Sequence, residues 1–402
     1  MSVGWAVLDE TNWAELEHAY GSAQDVPLYL RKLAEADVAG QCEATDFLFG
    51  AVLHQGIPST STVPAALVVA GIPQEPQLDG VGPATRWWPI GQPVRANLLN
   101  FLRDVFDAGA PWLERSTIES RFRDVMAKHP ALGDGNPDDF DDETLEALGE
   151  GLTHVRALEC RDAVPAIVPL TRALLSDPDS IVRTTAVSAL VTAARFPELA
   201  ADRERLVVDL DSLADSATVE PYELCTLVLA LGEFGRDTSH FLSHSSQAVR
   251  CCAALAPGQV ESPIAMKELI RALENPELID GWFTTPPPLL RARPLAAVVD
   301  AITKRASSID EYVDASVAVA KVTHRYTVDD VLGPLLLAAM GTNTSGPSER
   351  LSRSQARFLR SLVANPAIWS PSDGSAAHWF QKVGIPHDRD ACERLSRRTF
   401  RR

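Results

Sequence analysis

The chain has 402 residues, 46% hydrophobic and 23% charged: enough apolar side chain for a packed core, and too little charge bias for wholesale disorder. Its 37 basic and 54 acidic residues give a formal charge of −17, which argues against nucleic acid as a partner, because phosphate neutralisation needs a basic stripe. No stretch reaches the roughly 20 uncharged apolar residues of a membrane-spanning helix, and the opening MSVGWAVLDETNW lacks a basic n-region and an apolar h-region, so the sequence reads as cytoplasmic with no membrane partner.

Apolar residues recur at helical spacing along most of the chain, and strand-like alternation is scarce, so about 15 helices are expected. The first is placed at Trp13 to Ala19, with Thr11-Asn12 before it and Tyr20-Gly21-Ser22 ending it. The next run from about Val26 to Ala36, Cys42 to His54 and Ser61 to Ala70. Pro27 stands in a first turn, where a missing N–H costs nothing. Residues 71–93 hold five prolines and four glycines, with Gly71 at their start, and read as an inserted loop carrying Arg86-Trp87-Trp88. Helices resume at Val94 to Ala108 and Glu114 to Lys128. After a loop at Gly133 to Asp142 they continue at Glu143 to Cys160 and Val164 to Leu175. Farther on, Ile264 to Leu273, Leu290 to Arg305, Ile309 to Thr323, Val328 to Met340, Ser348 to Ala364, Ala376 to Lys382 and Arg389 to Arg398 carry helical patterns. Pro286-Pro287-Pro288 reads as a stiff extended step. The expected organisation is N-terminal helical repeats at 1–70, the inserted loop at 71–93, central repeats at 94–280 and a less regular helical region at 281–402.

The central part carries an internal repeat. Asp177-Pro178-Asp179-Ser180 is a turn able to cap Ile181-Val182-Arg183-Thr184-Thr185-Ala186-Val187-Ser188-Ala189-Leu190, and Val249-Arg250 recurs with Ala253 and Ala256 behind it. The two arginines are 67 positions apart (250 − 183), which fits two units of roughly 33 residues. Between them Leu224 to Gly235, LCTLVLALGEFG, keeps the small-residue apolar face. Small residues at i and i+3 let helices approach closely, and one helix pair cannot bury its face alone, so such units stack.

The D-P-D turn, V-R-x-x-A-x-x-A and A-L-G-E-F-G together resemble the HEAT-like repeats of the PBS-lyase or EZ type, over about Val164 to Leu255. The opening, through Leu16, His18-Ala19-Tyr20-Gly21-Ser22-Ala23, Asp25-Val26-Pro27 and His54-Gln55-Gly56, is similar to a group of actinobacterial HEAT-repeat proteins of unassigned function. So is the closing segment, through Gln355 to Leu362, Trp369, Trp379 and Gly384-Ile385-Pro386. The resemblance implies an all-α fold, a curved α-solenoid of HEAT-like helix pairs, whose concave face binds another macromolecule. The loop at 71–93 and the prolines at 286–288 depart from the repeat.

Candidate chemistry is sparse. Asp134-Gly135-Asn136-Pro137-Asp138-Asp139 opens like a calcium loop but has Asp139 and Leu145 where an EF-hand needs Gly and Glu. His240 and His244 are four apart, in what reads as a turn between helices, with no adjacent acid or Cys. The six cysteines form no CxxC, and Cys251-Cys252 reads as two packing residues. HExxH, GxSxG and GxxxxGK[ST] are absent from the sequence. No catalytic, metal or cofactor residue is therefore assigned. Arg86, Trp87 and Trp88 are the candidate partner-binding residues, since aromatics beside Arg anchor interfaces; a core plug is the other reading of the tryptophans. The expected function is a non-catalytic protein–protein recognition scaffold, of immunity or accessory type, whose partner carries a basic patch. An enzyme or enzyme accessory on the same scaffold (lyase-like or glycosylase-like) and a nucleic-acid binder using Arg397 to Arg402 are the alternatives.

Overall fold

The computed structural model describes residues 1–35, 37–73, 75–83, 91–128, 142–216, 219–283, 287–290, 293–341, 351–370 and 374–399. The fold is all-α: among the described residues the sole paired strands are the two-residue β1 (Glu17–His18) and β2 (Gly21–Ser22) of one hairpin. No helix among them is long and apolar enough to cross a membrane. The chain divides into two compact units, Met1–Ser212 and Leu213–Arg402.

The first unit holds α1 (Trp5–Glu10), α2 (Val26–Glu35), α3 (Val38–Phe47), α4 (Thr62–Ala70), α5 (Val94–Ala108), α6 (Arg115–Lys128), α7 (Asp142–Ala173), α8 (Ser180–Ala193) and most of α9 (Ala200–Ala214). Its centre is α5, where Leu98, Leu99, Phe101, Leu102 and Phe106 are buried around most of the circumference, as expected of a helix surrounded by others. It packs on α3, α4, α7 and α8. On α8 every side chain from Thr184 to Ala193 is buried. Asp179 caps it by accepting from the Ile181 and Val182 N–H groups, and Thr184, Thr185 and Thr192 donate their hydroxyls to carbonyls four residues back, so these three threonines enter the core satisfied.

Two expectations fail here. Trp13 to Ala19 is not a helix: Trp13–Glu15 is a single 3-10 turn, and the first helix is α1, earlier in the chain. Trp13 is buried and its indole donates to the Leu8 carbonyl at 2.9 Å, so it closes the end of α1 rather than starting a helix. Nor is there a break between Cys160 and Val164. α7 runs through, with Pro165 and Pro169 inside it. Arg161, at the expected break, is buried: it forks onto Glu198 at 2.9 and 2.8 Å and donates to the Leu113 carbonyl at 2.7 Å. Packing against α4, α5, α6 and α8 outweighs the two backbone bonds the prolines delete.

The second unit holds α10 (Pro221–Glu233), α11 (Gln247–Leu255), α12 (Pro263–Ala272), α13 (Pro294–Arg305), α14 (Val313–Val322), α15 (Gly333–Met340), α16 (Arg353–Ala364), α17 (Gly374–Lys382) and α18 (Arg389–Ser396). α11, α13, α15 and α17 pack each on the next, as do α14, α16 and α18. One continuous apolar cluster runs through them, from Leu224 to Cys392. Ser308 and Ser352 close capping boxes with Glu311 and Gln355. Pro288–Leu290 forms a 3-10 turn, since proline fits the first position of a helical turn; of the expected extended step, Pro286 lies outside the described residues.

The arginines of the two Val-Arg repeats behave alike. Arg183 Nη1 donates to the Asp177 and Pro178 carbonyls at 2.7 and 3.1 Å. Arg250 Nη1 donates to the His244 and Ser245 carbonyls at 2.8 and 2.9 Å. Each folds back on the carbonyls six and five residues before it and ties its helix to the preceding turn.

Candidate functional site

A groove in the first unit combines an open cavity, exposed aromatic side chains and backbone strain. It begins where α3 ends. Past Phe47 the helix widens into a π turn at Leu48–Val52, with the Leu53 N–H bonded to the Leu48 carbonyl at 2.9 Å; such π segments are frequent at functional sites. Gln55 (φ 55°) and Gly56 (φ 77°) then turn the chain in the left-handed region. Among the described residues just one other non-glycine has positive φ, Ala110 (φ 51°), after the end of α5, and it lines the same groove. Each such residue costs of order 1 kcal/mol.

The β1–β2 hairpin positions one wall. The buried His18 ring accepts the Tyr20 N–H on Nδ1 at 3.0 Å and therefore donates from Nε2 to Asp25, also at 3.0 Å. The Ala19 N–H bonds the Ala51 carbonyl on the π turn, and Thr60 brackets Glu17 from both sides of its backbone. This fixes Tyr20 at the hairpin tip, 71% exposed, with its ring 5.4 Å from His54. The segments HAYGSA and HQG, distant in sequence, thus meet.

Tyr20, Phe49 and Leu53 wall a cavity of about 690 Å³ that also meets Asp46, His54 and Asp104. Gln55, Gly56 and Asp104 continue into a second hollow of about 630 Å³, lined by Ile57, Asp107, Trp112, Thr153 and His154 among others. Trp112 and Ile57 are 64% and 57% exposed, large apolar side chains of the kind that mark interaction surfaces.

The polar lining is almost entirely acceptor. His54 Nδ1 donates to the Gly50 carbonyl at 2.8 Å and His154 Nδ1 to the Glu150 carbonyl at 2.7 Å, each four residues back, so the neutral rings keep Nε2 as acceptor. Thr153 likewise gives its hydroxyl proton to Gly149. Among the described residues neither lining contains a lysine or arginine. Asp104 Oδ1 takes both the Nε and Nη2 protons of Arg103, at 2.9 and 2.7 Å. Even so, burial holds the Asp104 carboxyl above its ordinary range, outweighing Arg103 and helped by Asp107. Burial also raises Asp46, which meets no hydrogen-bond donor or cation among the described residues. Both carboxylates sit where their charge is under-compensated.

Charge divides unevenly between the units. Residues 1–212 hold 33 of the 54 acids and 16 of the 37 bases, and residues 213–402 hold 21 of each. The whole formal −17 therefore belongs to the unit with the groove (16 − 33 = −17).

Arg86, Trp87 and Trp88, and the acidic loop opening at Asp134, lie outside the described residues. His240 and His244 fall on and just after a 3-10 turn, Ser239–Ser243, where His244 Nδ1 accepts the Ser246 N–H. Cys251 and Cys252 are buried in the apolar cluster of the second unit. The groove residues escaped sequence reading because four separate segments supply them, at Tyr20, 46–58, 104–118 and 153–157; the one local signal was Gly56 directly after His54-Gln55.

No family model matches the chain, and no curated protein matches it. A crystal structure of an engineered protein is similar at 16% identity, over 93% of this chain and 97% of that one, with a TM-score of 0.24. A likeness that low carries no argument.

Proposed function

We propose that this chain is a recognition scaffold that holds another protein in the groove of residues 1–212, through a basic segment of that partner. The observation that carries the reading is the coincidence of the groove with the chain's entire net charge: a surface lined, among the described residues, by acceptors and by no arginine or lysine, in the unit with formal charge −17. A field of one sign steers an oppositely charged partner and raises its association rate. Trp112, Ile57 and Tyr20 would then supply the apolar contacts that hold it. The shared fold-back of Arg183 and Arg250, and the alternate packing of helices in the second unit, support a HEAT-like α-solenoid as the scaffold. The partner's role, as a toxin neutralised or an enzyme assisted, is left to its identity.

The test is affinity capture from a lysate of the source cells, followed by reconstitution with the purified partner. A partner captured by the wild type, lost with Trp112→Ala, kept with Tyr326→Ala in the second unit and weakened as salt rises would support the reading. A partner indifferent to Trp112→Ala and to salt would overturn it.

A further inference from the structure

We infer that the cavity between Tyr20 and Phe49 is an arginine slot, taking the guanidinium of a single side chain of the partner. The inference rests on the recognition reading above and adds the anchor it uses. The cavity volume, about 690 Å³, exceeds what one side chain needs, so a side chain enters with its flanking backbone. Its walls are aromatic: Tyr20 on the hairpin tip, held over His54, and Phe49, braced edge-on by Phe101 at 5.9 Å. Aromatic faces attract a flat, weakly hydrated cation, which favours guanidinium over the compact, strongly hydrated ammonium of lysine.

The acceptors suit the same group. The carboxylate of Asp46 on α3 lacks a donor among the described residues. Asp104 Oδ2 receives none of the Arg103 bonds, which both end on Oδ1. His54, its Nδ1 proton given to Gly50, presents Nε2 as an acceptor. Among the described residues the cations and acids facing the cavity do not balance: Asp46 and Asp104 line it, Asp107 stands close enough to act on Asp104, and Arg103 is the one cation paired there. A fork of five N–H donors answers several separated acceptors at once, where an ammonium answers three at one point. A neutral amide of the same shape would meet the acceptors with fewer donors and no charge.

The experiment uses the full chain labelled with 15N-glycine and three soluble probes: the acetyl methylamides of arginine, lysine and citrulline. Gly50 and Gly56, both in the cavity lining, report occupancy through their amide shifts. The expected result is a saturable shift at these two glycines with arginine, about tenfold weaker binding of uncharged citrulline, and lysine in between. Asp46→Asn, on an exposed position, should lower arginine affinity about tenfold, and Phe49→Leu about threefold. Should Phe49→Leu lower the thermal midpoint, Tyr20→Ala at the exposed tip tests the wall independently. Equal shifts from arginine and citrulline, tighter lysine than arginine, or shifts at neither glycine would overturn the slot. Partner capture that depends on Trp112 but shows no arginine preference would leave the scaffold reading standing without the slot; arginine preference with no groove-dependent partner would do the reverse.

Discussion

The two units of this chain solve the same problem, burying helices, with opposite surfaces. The second is electrically neutral by residue count, with 21 acids and 21 bases, and a single apolar cluster runs through it. Its arginines are used structurally: Arg250 reaches Glu268 at 2.8 Å, and Arg305 donates to the Ala254 carbonyl at 2.7 Å. The first unit has a buried centre at α5 yet keeps a surplus of carboxylates, two of them raised by burial, beside two left-handed non-glycine residues. Among the described residues the left-handed non-glycine turns and the burial-raised carboxylates gather in one unit and along one groove, which is what a binding surface requires and a packing surface does not.

The comparison is broken most severely by backbone crowding. A Cβ on Gly71 would stand 2.4 Å from the Gly4 Cα and 2.5 Å from its nitrogen, whereas one on Gly232 would meet the Ala256 Cβ at 2.6 Å. Gly71→Ala should cost about 3 kcal/mol, because backbone cannot step aside, and Gly232→Ala less, about 2 kcal/mol. Thermal unfolding of the pair checks this, and equal or unchanged midpoints would count against the close approach of Gly4, just before α1, to Gly71, just after α4.

Next in size is Arg161. Its side chain is 3% exposed, and Glu198, 44% exposed, can rehydrate when the pair is broken, so Arg161→Met should cost about 2 kcal/mol, part of it the Leu113 carbonyl left without its donor. The hydrogen bond from Arg161 lowers the Glu198 carboxyl. The stabilisation is therefore fully present above the ordinary carboxylate range and lost as pH falls through the lowered value. Urea unfolding at descending pH should show wild type and Arg161→Met converging at the acid end.

Asp104 has the opposite sign. Its pKa is raised, so its contribution is present below the ordinary carboxylate range and disappears as pH rises through the raised value. Asp104→Asn should leave stability at neutral pH unchanged or higher by under about 1 kcal/mol, with the difference closing in acid, while weakening capture of a basic partner. A large loss of stability at neutral pH would make Asp104 a structural residue and blur the contrast between the units.

Much of the scaffold was legible. α2, α4, α5, α6 and α12 lie close to where periodicity puts them, and α8 begins at the turn whose Asp179 caps it. The misses have particular causes. α1 is six residues long and starts after Gly4 at φ 75°, with no capping side chain to announce it. Arg161 gives no local sign of its burial, because its partner lies 37 residues away. The groove was less legible still. Asp46, Asp104 and Asp107 look like ordinary helix-surface acids, and Gln55 and Ala110 carry no mark of a left-handed backbone. Tyr20 and His54 stood out through a resemblance, but their contact depends on a hairpin that the sequence reading took for a helix end.

The most direct test of the account is hydrogen exchange across the whole chain, free and with its captured partner bound. The account expects slowed exchange at residues 49–58 and 104–113, two of the four segments that form the groove, and little change in residues 213–402. Protection confined to residues 213–402, with the groove exchanging as in the free protein, would contradict it.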